Sequence, residues 1–198
     1  PIVRAALGLY PAEAVKLSAA ETAKELGFIR SSKNKIMAIG EIGLDYQEAK
    51  TAEQRRQQQR LFEQQLELAK ELGKPVIVHS RKAEKEVVDT LISCGCNRVI
   101  LHAFHGSINL VKAAAAAGFY VTIPTNIGRS SHFQAIAKIL PLSRLLTETD
   151  APFLAAEKGQ KSEPAHVAAT VANIAEIKGM VAEEVANIIY NNYQLLFA

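Results

Sequence analysis

The chain has 198 residues, 48% of them hydrophobic, and a formal charge of +3 at pH 7. That balance excludes a disordered or collagen-like chain, and no apolar run approaches the roughly 18–20 residues that span a bilayer. The mild positive charge permits an anionic substrate but is too small to argue for nucleic-acid binding without a clustered basic face.

Along the chain, short apolar runs alternate with segments of helical spacing. The runs cover residues 2–9, 36–39, 75–78, 99–101, 119–123 and 145–146. Between the second and third, Leu61, Phe62, Leu66, Ala69 and Leu72 recur at three- and four-residue steps, which predicts a helix over 52–72 with one buried face. Thr51 with Gln54 reads as a capping box at its start, and Gly73 followed by Pro75 as its stop. Cys94 and Cys96 fall at a helix-to-strand turn. A bridge between residues so close would be strained, so two small reduced residues are expected there. The alanine-rich stretch 113–117 with Gly118 reads as a helix end, and Val185, Ile188, Ile189 and Leu196 mark a last amphipathic helix.

Strands alternating with helices imply parallel pairing through right-handed crossovers. Runs that are apolar throughout, rather than at every second residue, are those of strands covered on both faces. The fold class is therefore α/β. Pattern alone leaves an open doubly wound sheet and a closed barrel as alternatives.

The informative residues stand where the runs end. The run at 36–39 leads to Glu41 and Asp45, the run at 75–78 to His79 and Arg81, the run at 99–101 to His102 and His105, and the run at 145–146 to Glu148 and Asp150. In a parallel barrel the C-terminal strand ends converge on the active-site face. One histidine after a strand is more often structural, but four consecutive strands bearing Glu, His, His and Asp point to a shared partner. Burying such groups costs several kcal/mol unless something pairs with them. A divalent cation pairs with all of them, and mixed nitrogen and oxygen donors suit Zn²⁺ or Mn²⁺, with Mg²⁺ acceptable to a carboxylate-rich variant.

Five motifs and the chain's ending resemble the TatD family of metal-dependent deoxyribonucleases, within the amidohydrolase-like barrels. Ala6-Leu-Gly-Leu-Tyr-Pro11 resembles its G-x-H-P segment, and Ala38-Ile-Gly-Glu-Ile-Gly-Leu-Asp45 its A-I-G-E-x-G-L-D signature. Pro75-Val-Ile-Val-His-Ser-Arg81 resembles its P-V-x-x-H-x-R strand, Leu101-His-Ala-Phe-His-Gly106 its H-x-F-x-G strand, and Leu146-Thr-Glu-Thr-Asp-Ala-Pro152 its E-T-D-x-P motif. Asn191-Asn192 with Leu196-Phe197 resembles its N-x-x-x-L-F ending. The resemblance implies a TIM-type (β/α) barrel of which this chain carries six of eight strands, strands 3–8 of the family fold, as one incomplete domain over residues 1–198. It implies up to two divalent ions (Mg²⁺, Mn²⁺ or Zn²⁺) held by Glu41, His79, His102 and Asp150. Glu41 would bridge the ions, and Asp150 would take the proton of the attacking water. Arg81 is expected to contact phosphate, with an ion pair to a loop carboxylate as its alternative. His105 is expected to bond the scissile phosphate or to be structural, and Asp45 to orient its neighbours. His166, in Glu163-Pro-Ala-His166, is a candidate for the rim of the site.

Two features depart from the family pattern. No H-x-H occurs in the sequence, which leaves the ion bound by Asp150 short of its usual histidines, and Tyr10 stands where the family often has His. A barrel of this kind usually takes about 250 residues. The implied activity is hydrolysis of DNA phosphodiester bonds by metal-activated water, with DNA as the partner. The alternatives are a barrel metallohydrolase acting on an ester or amide, and a truncated relative without turnover. The first residues carry no basic stretch leading into a long apolar run, so a cytoplasmic protein without membrane contact is expected, and an oligomer is one way the six strands could be closed.

Overall fold

Each of the six predicted apolar runs overlaps a strand, and each intervening periodic segment contains a helix. The computed structural model describes residues 3–198; Ile2, which opens the first predicted run, lies outside the described residues. The chain falls into two compact units, one ending at Gly106 and the other beginning at Ser107.

The first unit runs β1 (Ala5–Leu7), α1 (Pro11–Ala14), α2 (Ala19–Ser31), β2 (Ile36–Asp45), α3 (Ala52–Leu72), β3 (Val76–Arg81), α4 (Glu84–Ser93) and β4 (Val99–Leu101). Its strands lie in the order β1-β2-β3-β4, each neighbouring pair parallel. Parallel neighbours need a long return, and helices supply it.

β2 is longer than its apolar run predicts. Glycine and glutamate are poor strand formers, yet the strand continues through Gly40-Glu41-Ile42-Gly43 to Asp45. Pairing with β3 overrides the local preference: Ile42, Gly43, Leu44 and Asp45 lie opposite Val78, His79, Ser80 and Arg81. The register shifts between Ile39 and Ile42, an irregularity that takes in Gly40 and Glu41. Gly43 has φ +136°, and a Cβ added to it would stand 2.0 Å from the His79 carbonyl oxygen. Only glycine fits there.

α3 matches its predicted bounds. Thr51 and Gln54 form the capping box, and Gly73 closes the helix in the left-handed conformation at φ 62°. Its inner face buries Leu61, Phe62, Leu66 and Ala69, each large side chain contributing about 1.5–3 kcal/mol. Two glutamines, Gln58 and Gln65, are buried on the same face. At the end of α4, Cys94 and Cys96 are free thiols. Burial, and then the neighbouring Cys94, push the Cys96 thiol up to about 11.

The second unit runs α5 (Ile108–Ala116), β5 (Tyr120–Ile123), a 3-10 turn (Thr125–Arg129), α6 (Ser131–Ile139), β6 (Leu145–Thr147), α7 (Val167–Lys178) and α8 (Ala182–Phe197). β5 and β6 pair in parallel, Val121 opposite Leu145 and Ile123 opposite Thr147. α8 buries Val185, Ile189 and Leu196. Its Asn192 Nδ2 donates to the carbonyls of Leu142 at 2.7 Å and Leu145 at 2.9 Å, which ties the helix to the start of β6. Among the described residues no helix is long and apolar enough to cross a membrane.

Candidate active site

Every strand of the first unit delivers polar side chains toward its C-terminal end: Tyr10 beyond β1, Glu41 and Asp45 on β2, His79 and Arg81 on β3, His102 just beyond β4. Because the strands are parallel, these ends share one edge.

Asp45 organises the first cluster. Its side chain is 1% exposed. Oδ1 accepts from the backbone N–H groups of Gln47 at 2.8 Å and Glu48 at 3.0 Å. Oδ2 lies 3.1 Å from His79 Nε2 and 3.4 Å from the Tyr10 hydroxyl, and the hydroxyl is itself 3.2 Å from His79 Nε2. These donors offset the desolvation that burial imposes on a carboxylate. Burial raises the Tyr10 phenol well above its usual range, as do the charges of Asp45 and Glu41, against the opposing pull of Arg81. The phenol thus stays protonated and serves as a donor.

The buried glutamines of α3 position Tyr10. Gln65 Oε1 accepts from Leu9 N at 2.6 Å while its Nε2 donates to Leu9 O at 3.1 Å. Gln58 Nε2 donates to Pro11 O at 3.1 Å, and its Oε1 accepts from Asp45 N at 2.9 Å. The residues on both sides of Tyr10 are therefore clamped to the same helix that holds the Asp45 backbone.

The second cluster joins Glu41 to His102, whose Nε2 lies 3.1 Å from Glu41 Oε1. His105 is exposed, and its Nδ1–H donates to the Ala103 carbonyl at 2.7 Å. Arg81 is exposed at the end of β3 and paired in register with Asp45.

In the second unit, Glu148 N donates to Ile123 O at 3.1 Å, and Asp150 follows β6 with φ +51°. Lys82 and Ala103 take positive φ just beyond β3 and β4 in the same way. Such strain in non-glycine residues persists where surrounding structure holds it, often at functional sites. His166 turns to its own segment, with Nε2 3.6 Å from Glu163 Oε1.

Of the predicted ligands, Glu41 thus lies against His102, and His79 against Asp45, a residue expected only to orient its neighbours, while Asp150 belongs to the second unit. Among the described residues no group of three or more His, Cys, Asp or Glu side chains gathers closely enough to hold an ion. The donor chemistry nonetheless fits a divalent cation at Glu41 and His102, whose Oε1 and Nε2 face each other at 3.1 Å, where a cation can take the place of a proton. Tyr10, Gln58 and Gln65 escape a reading based on apolar runs. Tyr10 does carry the same signal as the others, a polar residue directly after a run, and the glutamines fall in step with Leu61, Phe62 and Leu66.

Residues 1–198 match the family described as TatD related DNase. The chain belongs to that family. It is 36% identical over 192 residues to human "Deoxyribonuclease TATDN3", covering 96% of this chain and 70% of that one. To the Bacillus subtilis "Uncharacterized metal-dependent hydrolase YabD" it is 36% identical over 203 residues, covering 98% and 77%. Its fold is similar to the crystal structure of YJJV, a TatD homolog from Escherichia coli, with a TM-score of 0.85 at 31% identity over 98% of this chain and 76% of that one. The α/β barrel architecture expected from the sequence is that of these relatives. As a member of the family the chain is a metal-dependent hydrolase of the DNase type.

Proposed function

We propose that this TatD-family chain hydrolyses phosphodiester bonds of DNA with Glu41, His79 and His102 as ligands of a divalent cation and Asp150 as the proton acceptor for the attacking water. The observation that carries the reading is the Glu41–His102 contact at 3.1 Å, in a chain matched throughout by the family. When bound, the cation supplies an acidified water and neutralises charge on the phosphate oxygens.

The protein's own groups account for the rest. Asp45 and Tyr10 hold the His79 ring from one side, fixing its orientation as carboxylate partners of metal-binding histidines do. Arg81 offers a planar fork of donors suited to phosphate oxygens. His105, with Nδ1–H committed to Ala103 O, is an exposed imidazole beyond β4 suited to a phosphate contact. The role of Asp150 rests on its E-T-D-x-P motif, and the number and identity of the ions rest on donor chemistry alone.

The test measures bound metal by elemental analysis and degradation of single- and double-stranded DNA, for the wild type, Glu41→Gln and His102→Ala. Stoichiometric metal and DNA degradation in the wild type, both lost in the two variants, is the expected result. A wild-type chain that binds metal yet cleaves only esters, or one that binds none, overturns the proposal.

A further inference from the structure

We infer that Phe153 is a stacking platform for an unpaired nucleobase of the DNA substrate, held at a set position beside Asp150 by a braced loop. The inference rests on the DNA-hydrolysing reading above and adds the residue that grips the base.

Phe153 is 69% exposed, an unusual state for a large aromatic side chain. Its backbone is not loose. Phe153 N donates to Asp150 O at 2.7 Å, which closes a tight turn directly on the motif that bears Asp150. On one side, Pro152 O accepts from Ser162 N at 3.0 Å. On the other, Leu154 O accepts from the Thr125 hydroxyl, which lies 3.2 Å from Ser162 Oγ. Arg129 then anchors the following residues, Nη2 donating to Ala155 O at 3.0 Å and Nε to Ala156 O at 3.2 Å. Asp150 at φ +51° and Leu154 at φ +46° flank the turn, and this network holds both in a conformation that non-glycine residues rarely adopt.

The result is a ring exposed to solvent on a backbone fixed at every neighbouring residue. Such a ring loses little entropy on meeting a flat partner. Every nucleobase has a π face, so stacking is tolerant of sequence and needs an unpaired base. The exposed charges of the same loop balance, Lys158 and Lys161 against Glu157 and Glu163, so the grip on the base rests on stacking rather than on charge. The ring therefore suits a single-stranded stretch or a frayed end better than an intact duplex.

The chain has no tryptophan, so Phe153→Trp introduces a single fluorophore at the position in question. With single-stranded oligonucleotide added under chelating conditions, its emission should be quenched as a base stacks on it. Phe153→Ala should weaken binding of the same oligonucleotide about 10- to 100-fold, while Phe153→Tyr should stay near the wild type. Against an abasic oligonucleotide the wild type and Phe153→Ala should bind alike. Because the ring is exposed, melting temperatures should be unchanged, which a thermal scan checks. No quenching of the introduced tryptophan, or an alanine variant that binds like the wild type, overturns the inference. Quenching in a chain whose wild type degrades no DNA with any cation would instead overturn the catalytic reading and leave the stacking site standing.

Discussion

Asp45 Oδ2 stands 3.1 Å from His79 Nε2, so a fully buried carboxylate on β2 sets the orientation of an imidazole on β3. Changing Asp45 to Ala removes the acceptor for Gln47 N, Glu48 N, Tyr10 and His79 together. The expected outcome is a loss of about 3 kcal/mol in stability and a 10- to 100-fold drop in metal affinity or activity, as found for partners of metal ligands. Urea unfolding and metal titration measure the two effects, and Asp45→Asn should retain more of the stability than of the activity.

Gln58 joins Pro11 O to Asp45 N through one buried amide. Gln58→Leu keeps the packing volume close but leaves that carbonyl and that N–H without partners. A destabilisation of about 2 kcal/mol is expected. Hydrogen exchange should show the Asp45 amide opening earlier than in the wild type.

Gly43 faces the backbone of His79 with no room for a methyl group. Gly43→Ala must shift β2 against β3 or take on strain at φ +136°, at a cost of more than about 2 kcal/mol. A melting temperature within a degree of the wild type would refute that account of the β2–β3 approach.

Arg81 is proposed to grip phosphate through two parallel donors. Arg81→Ala should raise KM for DNA by about tenfold with a smaller change in kcat, and Arg81→Lys should recover only part of the loss, because a point charge does not reproduce the planar fork. Steady-state kinetics at two salt concentrations separate this from a general charge effect.

Cys96 carries a thiol whose pKa is raised from 9.0 to about 11, first by burial and then by Cys94. A group that binds its proton more tightly when folded contributes stability below its unfolded pKa and loses it as pH rises through the folded one. The wild type should therefore lose stability between about pH 9 and 11 relative to Cys96→Ala. Urea midpoints for the pair should differ by a constant amount at neutral pH and shift against the wild type across that window. If the difference between them stays constant with pH, the burial argument fails.

What the amino-acid sequence determined by itself was local. Residues 52–72 form their helix because apolar side chains recur at its pitch, Thr51 and Gln54 satisfy its first amides, and Gly73 accepts the left-handed turn that ends it. The strand-end residues were visible for the same reason, since an apolar run that stops on His79 or His102 announces a polar group at the edge of a strand. The tertiary structure decided which of them meet. Glu41 reaches His102, and His79 turns to Asp45 and Tyr10, because the register of β2 against β3 shifts between Ile39 and Ile42. That register depends on hydrogen bonds between segments some 35 positions apart in sequence, and on the room that Gly43 leaves for the His79 carbonyl. Periodicity within one segment carries no record of either.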